Sequence, residues 1–233
     1  MEVPVKTIGL LGGMSWESTA LYYRLINERT RAQLGGLHSA PIAMVSVDFA
    51  PLERRQVAGD WVGIGRQLSA NAREVQAAGA DVLLLCTNTM HKVADEIAAA
   101  VDIPMLHLAD TTAQAIRANG HARPALLGTR FTMEEAFYRE RLSSAGLSAL
   151  IPDQSARDEV HCVIYQELCQ GQVRAESRNA YQRVVADLAN EGADCVIAGC
   201  TEITLLLSPD DCPLPLYDTA ALHAQAAVSW ALQ

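Results

Sequence analysis

One short segment of the chain occurs twice, and this repetition limits the folds that the chain can adopt. Residues 80–90 read ADVLLLCTNTM and residues 193–203 read ADCVIAGCTEI, so each has Ala-Asp, an apolar run and then a small polar cluster. Such a pattern is typical of a buried strand whose carboxyl end faces a crevice. When the two segments are superimposed, Thr87 falls on Cys200. We therefore expect two similar strand ends that carry different candidate catalytic groups.

Other landmarks recur in the same order, which indicates a tandem duplication with short deletions in loops. The recurring pairs are Leu10-Leu11-Gly12 with Leu126-Leu127-Gly128 and Tyr22 with Tyr138 at an offset of 116 residues, Thr87 with Cys200 at 113, and Asp110-Thr111 with Asp218-Thr219 at 108. The predicted first half covers residues 1–109 and is joined by a C-terminal helix at 219–233. The predicted second half covers residues 110–218.

Strand and helix patterns alternate along each half. In the first half they predict strands at 7–12, 41–48, 82–85 and 105–108, and helices that begin near Trp16, Trp61 and Asp110-Thr111. This alternation predicts an α/β fold of two similar parallel-sheet domains related by pseudo-twofold symmetry. Since ligands bind beyond the carboxyl ends of parallel strands, we expect the active site in the cleft between the halves, with Thr87 and Cys200 on opposite walls.

Composition excludes several classes of function. A formal charge of −9 and a pI near 5.1 argue against nucleic acid and acidic membranes as partners. No apolar stretch approaches the ~20 residues that a membrane span needs, and residues 1–6 lead into a strand rather than a signal peptide. We expect a cytoplasmic protein whose six cysteines, which lack CxxC spacing, are free thiols.

Two opposed proton-handling groups suit a reaction at a stereocentre, where one group removes a proton and the other returns one to the opposite face. A thiol can act as the base if a helix N-terminus lowers its pKa, and Cys200 precedes a predicted helix. Cys162, Cys169 and Cys195 are predicted to be buried apolar residues of the core.

The polar residues at the first strand end fit a carboxylate ligand. Asn88 and Thr89 are predicted at a helix N-terminus, where backbone N–H groups bind anions, although the same residues also fit ordinary capping. Gly12-Gly13-Met14 allows a close backbone approach but lacks the motifs that bind nucleotide phosphates. The histidines show no metal-binding spacing, and His91 fits either a residue that supports the site or an ordinary helical histidine.

Together these segments resemble the cofactor-independent aspartate/glutamate racemase family. The likeness is carried by residues 11–19 (LGGMSWEST), 86–91 (CTNTMH), 128–129 (GT) and 199–203 (GCTEI). It implies a catalytic pair, Thr87 and Cys200, at a domain interface, with no pyridoxal phosphate, no metal and an assembly as a homodimer. It also implies that Asn88, Thr89 and Thr201 hold the α-carboxylate of an amino-acid substrate or neighbouring groups. The remaining predicted substrate-binding residues are Met14, Gln56, Thr129, Thr132 and Glu202.

The chain departs from the family pattern at two places. Most members have cysteine where Thr87 stands, and the Thr/Cys pairing resembles the subgroup of L-aspartate/glutamate-specific or broad-specificity amino-acid racemases. Some relatives place a basic residue against the substrate's side-chain carboxylate, whereas this chain offers Gln56 beside Arg54 and Arg55, and Arg157 near a predicted helix. We therefore expect neutral or polar substrates to be accepted as well as acidic ones.

Two alternatives to a racemase remain. A single strand-end cysteine also resembles the decarboxylases of the same superfamily, which protonate an enediolate from one face. A ligand-binding protein that has lost catalysis is the other, although such a protein needs no thiol at position 200.

Overall fold

The computed structural model describes residues 5–233, and the chain divides into two compact units. The first unit runs through Leu108 and includes His223–Gln233, and the second comprises Ala109–Leu222. The interpretation of the start of the chain rests mainly on residues 1–4, which lie outside the described residues. Over residues 5–233, no helix is both long and apolar enough to cross a membrane.

The first unit is built on a four-stranded parallel sheet in the order β2-β1-β3-β4. Its central strands are buried along their whole length, as expected for a sheet covered by helices. The strands are β1 (Ile8–Gly12), β2 (Ile42–Ser46), β3 (Val82–Leu85) and β4 (Met105–Leu106), and the helices are α1 (Trp16–Leu34), α2 (Phe49–Val57), α3 (Trp61–Ala77) and α4 (Ala94–Ala98).

The second unit contains a three-stranded parallel sheet in the order β5-β6-β7. The strands are β5 (Pro124–Gly128), β6 (Cys195–Gly199) and β7 (Leu216–Asp218). The helices are α5 (Leu108–Ala118), α6 (Arg130–Glu134), α7 (Ala136–Ser144), α8 (Gln154–Gln166), α9 (Ala175–Asn190) and α10 (Ile203–Leu206). Helix α11 (Thr219–Ala231) begins in the second unit, but from His223 onward it belongs to the first unit. Leu150 forms a parallel bridge with Ala125 and so takes the edge position that β2 has in the first unit.

The two sheets confirm the predicted fold class of two parallel α/β halves. The order β1-β3-β4 in the first unit corresponds to β5-β6-β7 in the second. Strands β1 and β5 begin at residues 8 and 124, which reproduces the offset of 116 residues. Tyr22 and Tyr138, the matched tyrosines, are both fully buried.

The start of α5 differs from the prediction. Strand β4 ends at Leu106 and α5 begins at Leu108, so Asp110 lies inside the first turn instead of capping the helix. The helix begins early because the His91 imidazole accepts a hydrogen bond from the Leu108 backbone N–H at 3.3 Å. Asp110 instead forms two hydrogen bonds with Arg141, at 2.8 and 3.0 Å.

The matching cap in the second half does form. The Asp218 carboxylate accepts hydrogen bonds from the backbone N–H groups of Ala220 and Ala221 at the start of α11, at 2.9 and 3.1 Å. One copy of the duplicated Asp-Thr pair is therefore a helix cap and the other is not.

His223 on α11 is a fully buried histidine whose ring nitrogens both have partners in the first unit. Its Nε2 lies 2.9 Å from the Leu106 carbonyl, which can only accept, so Nδ1 accepts from the Tyr22 hydroxyl at 2.9 Å. Burial lowers the pKa of His223 to about 4, against the opposing effect of the hydrogen bond to Leu106.

This buried histidine predicts a loss of stability in mild acid. The unfolded chain binds a proton at this residue below a pKa of about 6.5, whereas the folded chain stays neutral down to about 4. The free energy of unfolding should therefore fall as the pH drops from about 6.5 to about 4, by a total on the order of 3 kcal/mol. Denaturant unfolding across this range measures the slope.

The free energy of unfolding should depend less steeply on pH in His223→Gln, because glutamine takes up no proton. His38→Gln, at an exposed histidine, should keep the slope of the parent protein. An unchanged slope in His223→Gln would show that other groups dominate the acid response.

Candidate active site

A glycine turn follows β1 at the carboxyl edge of the first sheet. Gly13 has a φ of 92°, and a Cβ atom there would overlap the backbone of Val47. The Gly13 N–H donates a hydrogen bond to the Thr19 hydroxyl at 2.8 Å, which fixes the passage from β1 into α1. Met14 is buried at this turn.

Thr87, Asn88 and Thr89 follow β3 at the same edge, since β1 and β3 are neighbouring parallel strands. Thr87 is partly exposed, and Asn88 and Thr89 are buried. The expected α-helix does not start here: a 3₁₀ segment covers Thr89–Val93, the Asn88 side chain does not cap it, and α4 begins at Ala94. A carboxylate at this turn would meet 3₁₀ geometry rather than the N-terminus of a regular helix.

His91 is buried beneath the Thr87 turn, with 3% of its surface exposed. Its Nδ1 lies 2.7 Å from the Thr87 carbonyl, and its Nε2 accepts from the Leu108 N–H, so the neutral ring carries its proton on Nδ1. The His107 ring packs edge-on against it at 4.4 Å between centroids. The interpretation of His91 as an ordinary helical histidine is wrong, because the residue links the Thr87 turn to the start of α5.

Cys86 precedes Thr87, but its thiol is not accessible at this strand end. Its side chain is fully buried, and burial raises the pKa of the thiol. The Cys86 carbonyl accepts a hydrogen bond from the Ser18 hydroxyl at 3.1 Å. Thr87 is thus the more accessible side chain at this position.

In the second unit, the polar residues after β5 and β6 share one edge of the sheet. Gly128 pairs with Gly199 in the parallel register, so the residues that follow each of them leave the sheet side by side. Thr129 and Thr132 are buried, and their hydroxyl oxygens lie 3.4 Å apart. Cys200, Thr201 and Glu202 follow Gly199 and are partly exposed.

The Cys200 thiol is hydrogen-bonded to a carboxylate. Its S–H donates to Glu202 Oε2 at 2.8 Å, and the Thr201 hydroxyl donates to the same oxygen at 2.8 Å. Burial raises the pKa of Cys200 well above its usual range, and the negative charge of Glu202 raises it further.

The predicted lowering of the Cys200 pKa is therefore wrong. Helix α10 spans only Ile203–Leu206 and begins three residues after the cysteine, whereas the Glu202 carboxylate touches the thiol. Direct contact with a negative charge outweighs a short helix whose dipole is small.

Removal of the Glu202 charge should make Cys200 easier to ionise. We expect the pH profile of Cys200 alkylation by iodoacetamide to move to lower pH in Glu202→Gln, because the amide keeps a hydrogen-bond acceptor but carries no charge. The experiment uses a background in which the exposed Cys162 and Cys169 are replaced by serine, with mass spectrometry at the labelled site. Glu191→Gln, at an exposed helix end, should leave the profile unchanged, and an unchanged profile in Glu202→Gln would contradict the assignment.

Of the two positions expected to face a substrate side chain, Gln56 is uncharged and Arg157 is already paired. Gln56 is 5% exposed at the last turn of α2, and its neighbours Arg54 and Arg55 are exposed. The Arg157 guanidinium on α8 is already occupied by Glu134 Oε1 at 2.9 Å, the Pro152 carbonyl at 2.7 Å and Gln154 Oε1 at 2.5 Å.

The sequence of the chain matches a known family and a characterised relative over nearly its whole length. The family described as Asp/Glu/hydantoin racemase matches residues 11–227. The broad-specificity amino-acid racemase RacX of Bacillus subtilis (strain 168) is 24% identical over 227 residues, which cover 95% of this chain and 96% of RacX.

Two crystal structures resemble the whole chain. A Yersinia pestis protein named as an Asp/Glu racemase candidate has a TM-score of 0.93 and 51% identity, with 98% of this chain and 100% of that chain covered. An aspartate racemase homologue from Pyrococcus horikoshii OT3 has a TM-score of 0.87 and 29% identity, with the same coverage.

A more distant likeness concerns the fold alone. A variant of arylmalonate decarboxylase has a TM-score of 0.59 and 15% identity, with 97% of this chain and 93% of that chain covered. The same architecture therefore occurs in a protein named for a different reaction.

Proposed function

Because the chain belongs to the Asp/Glu/hydantoin racemase family, we propose that it is a pyridoxal-phosphate-independent amino-acid racemase in which Cys200 removes the Cα proton of an L-amino acid. Racemases are isomerases. The observation that carries the proposal is the thiol of the partly exposed residue Cys200 after the end of β6, which donates a hydrogen bond to the Glu202 carboxylate.

Independence from pyridoxal phosphate is supported by the lysines. That cofactor is held as a Schiff base on a lysine, and the chain has two, Lys6 and Lys92. The Lys6 ammonium lies over the Trp230 ring at 4.5 Å, and the Lys92 ammonium lies over the Trp61 ring at 4.0 Å. Both are engaged in cation–π contacts, and neither belongs to the predicted site.

In the proposed reaction the resting thiol first has to lose its proton. Burial and the Glu202 charge together hold Cys200 in the S–H form, and binding of a substrate whose ammonium pairs with Glu202 would neutralise the second of these causes. The S–H proton is then transferred to water, and the thiolate forms when substrate is present. The site would in this way activate its base on binding.

The thiolate then takes the Cα proton. A C–H bond breaks, an S–H bond forms, and the electron pair is delocalised into the substrate's α-carboxylate. Asn88, Thr89 and Thr201 are proposed to hold that carboxylate, with Met14, Thr129 and Thr132 lining the site. Inversion is completed when the opposite face of the carbanion receives a proton from the Thr87 hydroxyl or from a water beside it. The alkoxide or hydroxide left behind regains a proton from solvent, and the Cys200 thiol releases the proton that it took from Cα to solvent.

We propose that the substrate range includes neutral and polar side chains. Gln56 provides an uncharged amide, and Arg157 is bound to Glu134, so neither residue favours a second carboxylate strongly. A site that does not depend on one charged contact discriminates weakly between side chains.

The assay measures the formation of the opposite enantiomer over a panel of L-amino acids by chiral chromatography. We expect turnover of several neutral or polar substrates besides aspartate and glutamate. Gln56→Arg should shift the ratio of kcat/KM values toward the acidic pair, because a guanidinium can bind the second carboxylate. Gln33→Arg, at an exposed position, should not. Activity confined to the two acids in the parent protein would contradict the proposed breadth.

A decarboxylase is the second candidate, favoured by the single accessible cysteine at the two strand ends and by the likeness in fold to arylmalonate decarboxylase. Release of carbon dioxide from a malonate with no exchange at Cα of amino acids would support it. Binding of amino acids with neither reaction would indicate a binding protein.

A further inference from the structure

A second group of chemically active side chains lies at the amino end of the second sheet. The potential ligand atoms of His121, Asp194 and Cys195 all lie within 4.8 Å of one another. Cys195 is the first residue of β6 and pairs with Pro124. Cys200 follows the other end of the same strand, roughly 16 Å away at the rise of an extended chain. The group is therefore separate from the candidate active site.

Asp194 has a structural role in the fold. Its carboxylate accepts hydrogen bonds from the backbone N–H groups of Ala122, at 2.7 Å, and Arg123, at 3.0 Å, and its own N–H donates to the Arg123 carbonyl. In the first half, Asp81 does the same to Thr7, accepting from its N–H at 2.7 Å and donating to its carbonyl at 2.8 Å. Both halves thus use an aspartate to join two adjacent strand ends.

The duplication does not explain His121 and Cys195. At the offset of 116 residues that relates Thr7 to Arg123, His121 corresponds to Val5, and at the offset of 113 that relates Asp81 to Asp194, Cys195 corresponds to Val82. The first half therefore has valines at both corresponding positions, whereas the second half has a histidine and a cysteine there.

We propose that His121, Asp194 and Cys195 bind a borderline-soft divalent cation of the Zn²⁺ type. An imidazole nitrogen, a carboxylate oxygen and a thiolate sulfur are all established zinc ligands, and three of them leave one position for water. Binding displaces one proton, from the Cys195 thiol.

Metal binding requires the three ligand atoms to move only slightly closer together. Tetrahedral zinc bonds place the ligand atoms roughly 3.3–3.6 Å apart, and His121, a partly exposed loop residue, can rotate to close the present separation. The backbone N–H groups that orient the Asp194 carboxylate would remain as its supporting hydrogen bonds. The Tyr217 and His121 rings pack in a T-shaped arrangement, at 6.0 Å between centroids.

Co²⁺ is a suitable probe because a cobalt–thiolate bond gives a near-ultraviolet charge-transfer band. The test uses a protein carrying Cys162→Ser, Cys169→Ser and Cys200→Ser, so that neither the exposed thiols nor the active-site thiol can contribute. We expect one equivalent of Co²⁺ to produce the band and one equivalent of Zn²⁺ to abolish it. Zn²⁺ affinity is then measured by competition with a chromophoric chelator.

Two variants decide the assignment. His121→Ala changes a partly exposed loop residue, and Cys195→Val copies the residue of the first half, so both should fold. Each should weaken Zn²⁺ binding by more than about 100-fold, the upper range for loss of a supporting contact alone, and Cys195→Val should remove the cobalt band. Cys212→Ser should change neither. The proposal is overturned if no band forms, if the band survives Cys195→Val, or if His121→Ala binds Zn²⁺ as the parent does. Racemase activity is not a readout, so this result is independent of the proposed function.

Discussion

Cys200→Ser is expected to lower kcat/KM for racemisation by about 10³-fold while the protein stays folded. The serine hydroxyl occupies a similar volume and can still donate a hydrogen bond to Glu202, which the thiol does at 2.8 Å. A hydroxyl is not ionised to a useful extent near neutral pH, however, so the proposed base is lost. Chiral chromatography of the product gives the rate, and circular dichroism with denaturant unfolding checks the fold.

Cys212→Ser is the matched control, because Cys212 is a partly buried free thiol in the same half of the chain. It should keep activity within a few-fold of the parent. Similar losses in the two variants would mean that Cys200 has no special role in the chemistry, and full activity in Cys200→Ser would remove it from the mechanism.

Hydrogen exchange at Cα should be strongly one-sided, faster from the L enantiomer than from the D enantiomer by about 100-fold or more. In the proposal the thiolate of Cys200 faces the L proton, whereas Thr87 faces the D proton. A threonine hydroxyl is a very weak acid and cannot serve as a comparable base. Cys200 can therefore remove and return the L proton many times for each inversion.

This asymmetry does not make the reaction irreversible. Enantiomers have equal free energies in water, so kcat/KM for racemisation has to be equal in both directions. The difference appears only in exchange with retained configuration, which proton NMR in deuterium oxide measures for each enantiomer.

Thr87→Cys should raise exchange from the D enantiomer and speed net racemisation, because it places a thiol on each face. Ser46→Cys, at the exposed end of β2 on the same edge of the sheet, provides the control for adding a thiol nearby. Exchange from D substrate as fast as from L substrate in the parent protein would show that another group, not Thr87, acts on that face.

The strand ends that carry the candidate site residues were predictable because the relevant signals are local. A strand that is buried on both faces has to be a short apolar run, and the chain leaves it through small polar residues, so Thr87 and Cys200 could be identified from the two repeated segments. The parallel α/β halves followed from the alternation of such runs with helical segments. The fold class was confirmed because each of these features depends on neighbours within a few residues.

Ionisation and contacts between distant residues were decided by the tertiary structure. Whether Cys200 is a thiol or a thiolate depends on the water removed around it and on where the Glu202 carboxylate turns, so the predicted lowering of the pKa was wrong in sign. The charge on Arg157 is present in the sequence, but only folding brings Glu134 against it.

The contacts of His91 and the grouping of His121, Asp194 and Cys195 also depend on long-range packing. His91 is four residues from Thr87 and could have been suspected from helical spacing, yet its burial and its bond to Leu108 require the packed first unit. His121 lies more than 70 residues before Asp194 and Cys195, so spacing rules for metal ligands along the chain could not find the three together. The local sequence pattern determined which side chains lie at the strand ends. Long-range packing determined the charge and the contacts of those side chains, because desolvation and contact depend on residues that only the folded chain brings near.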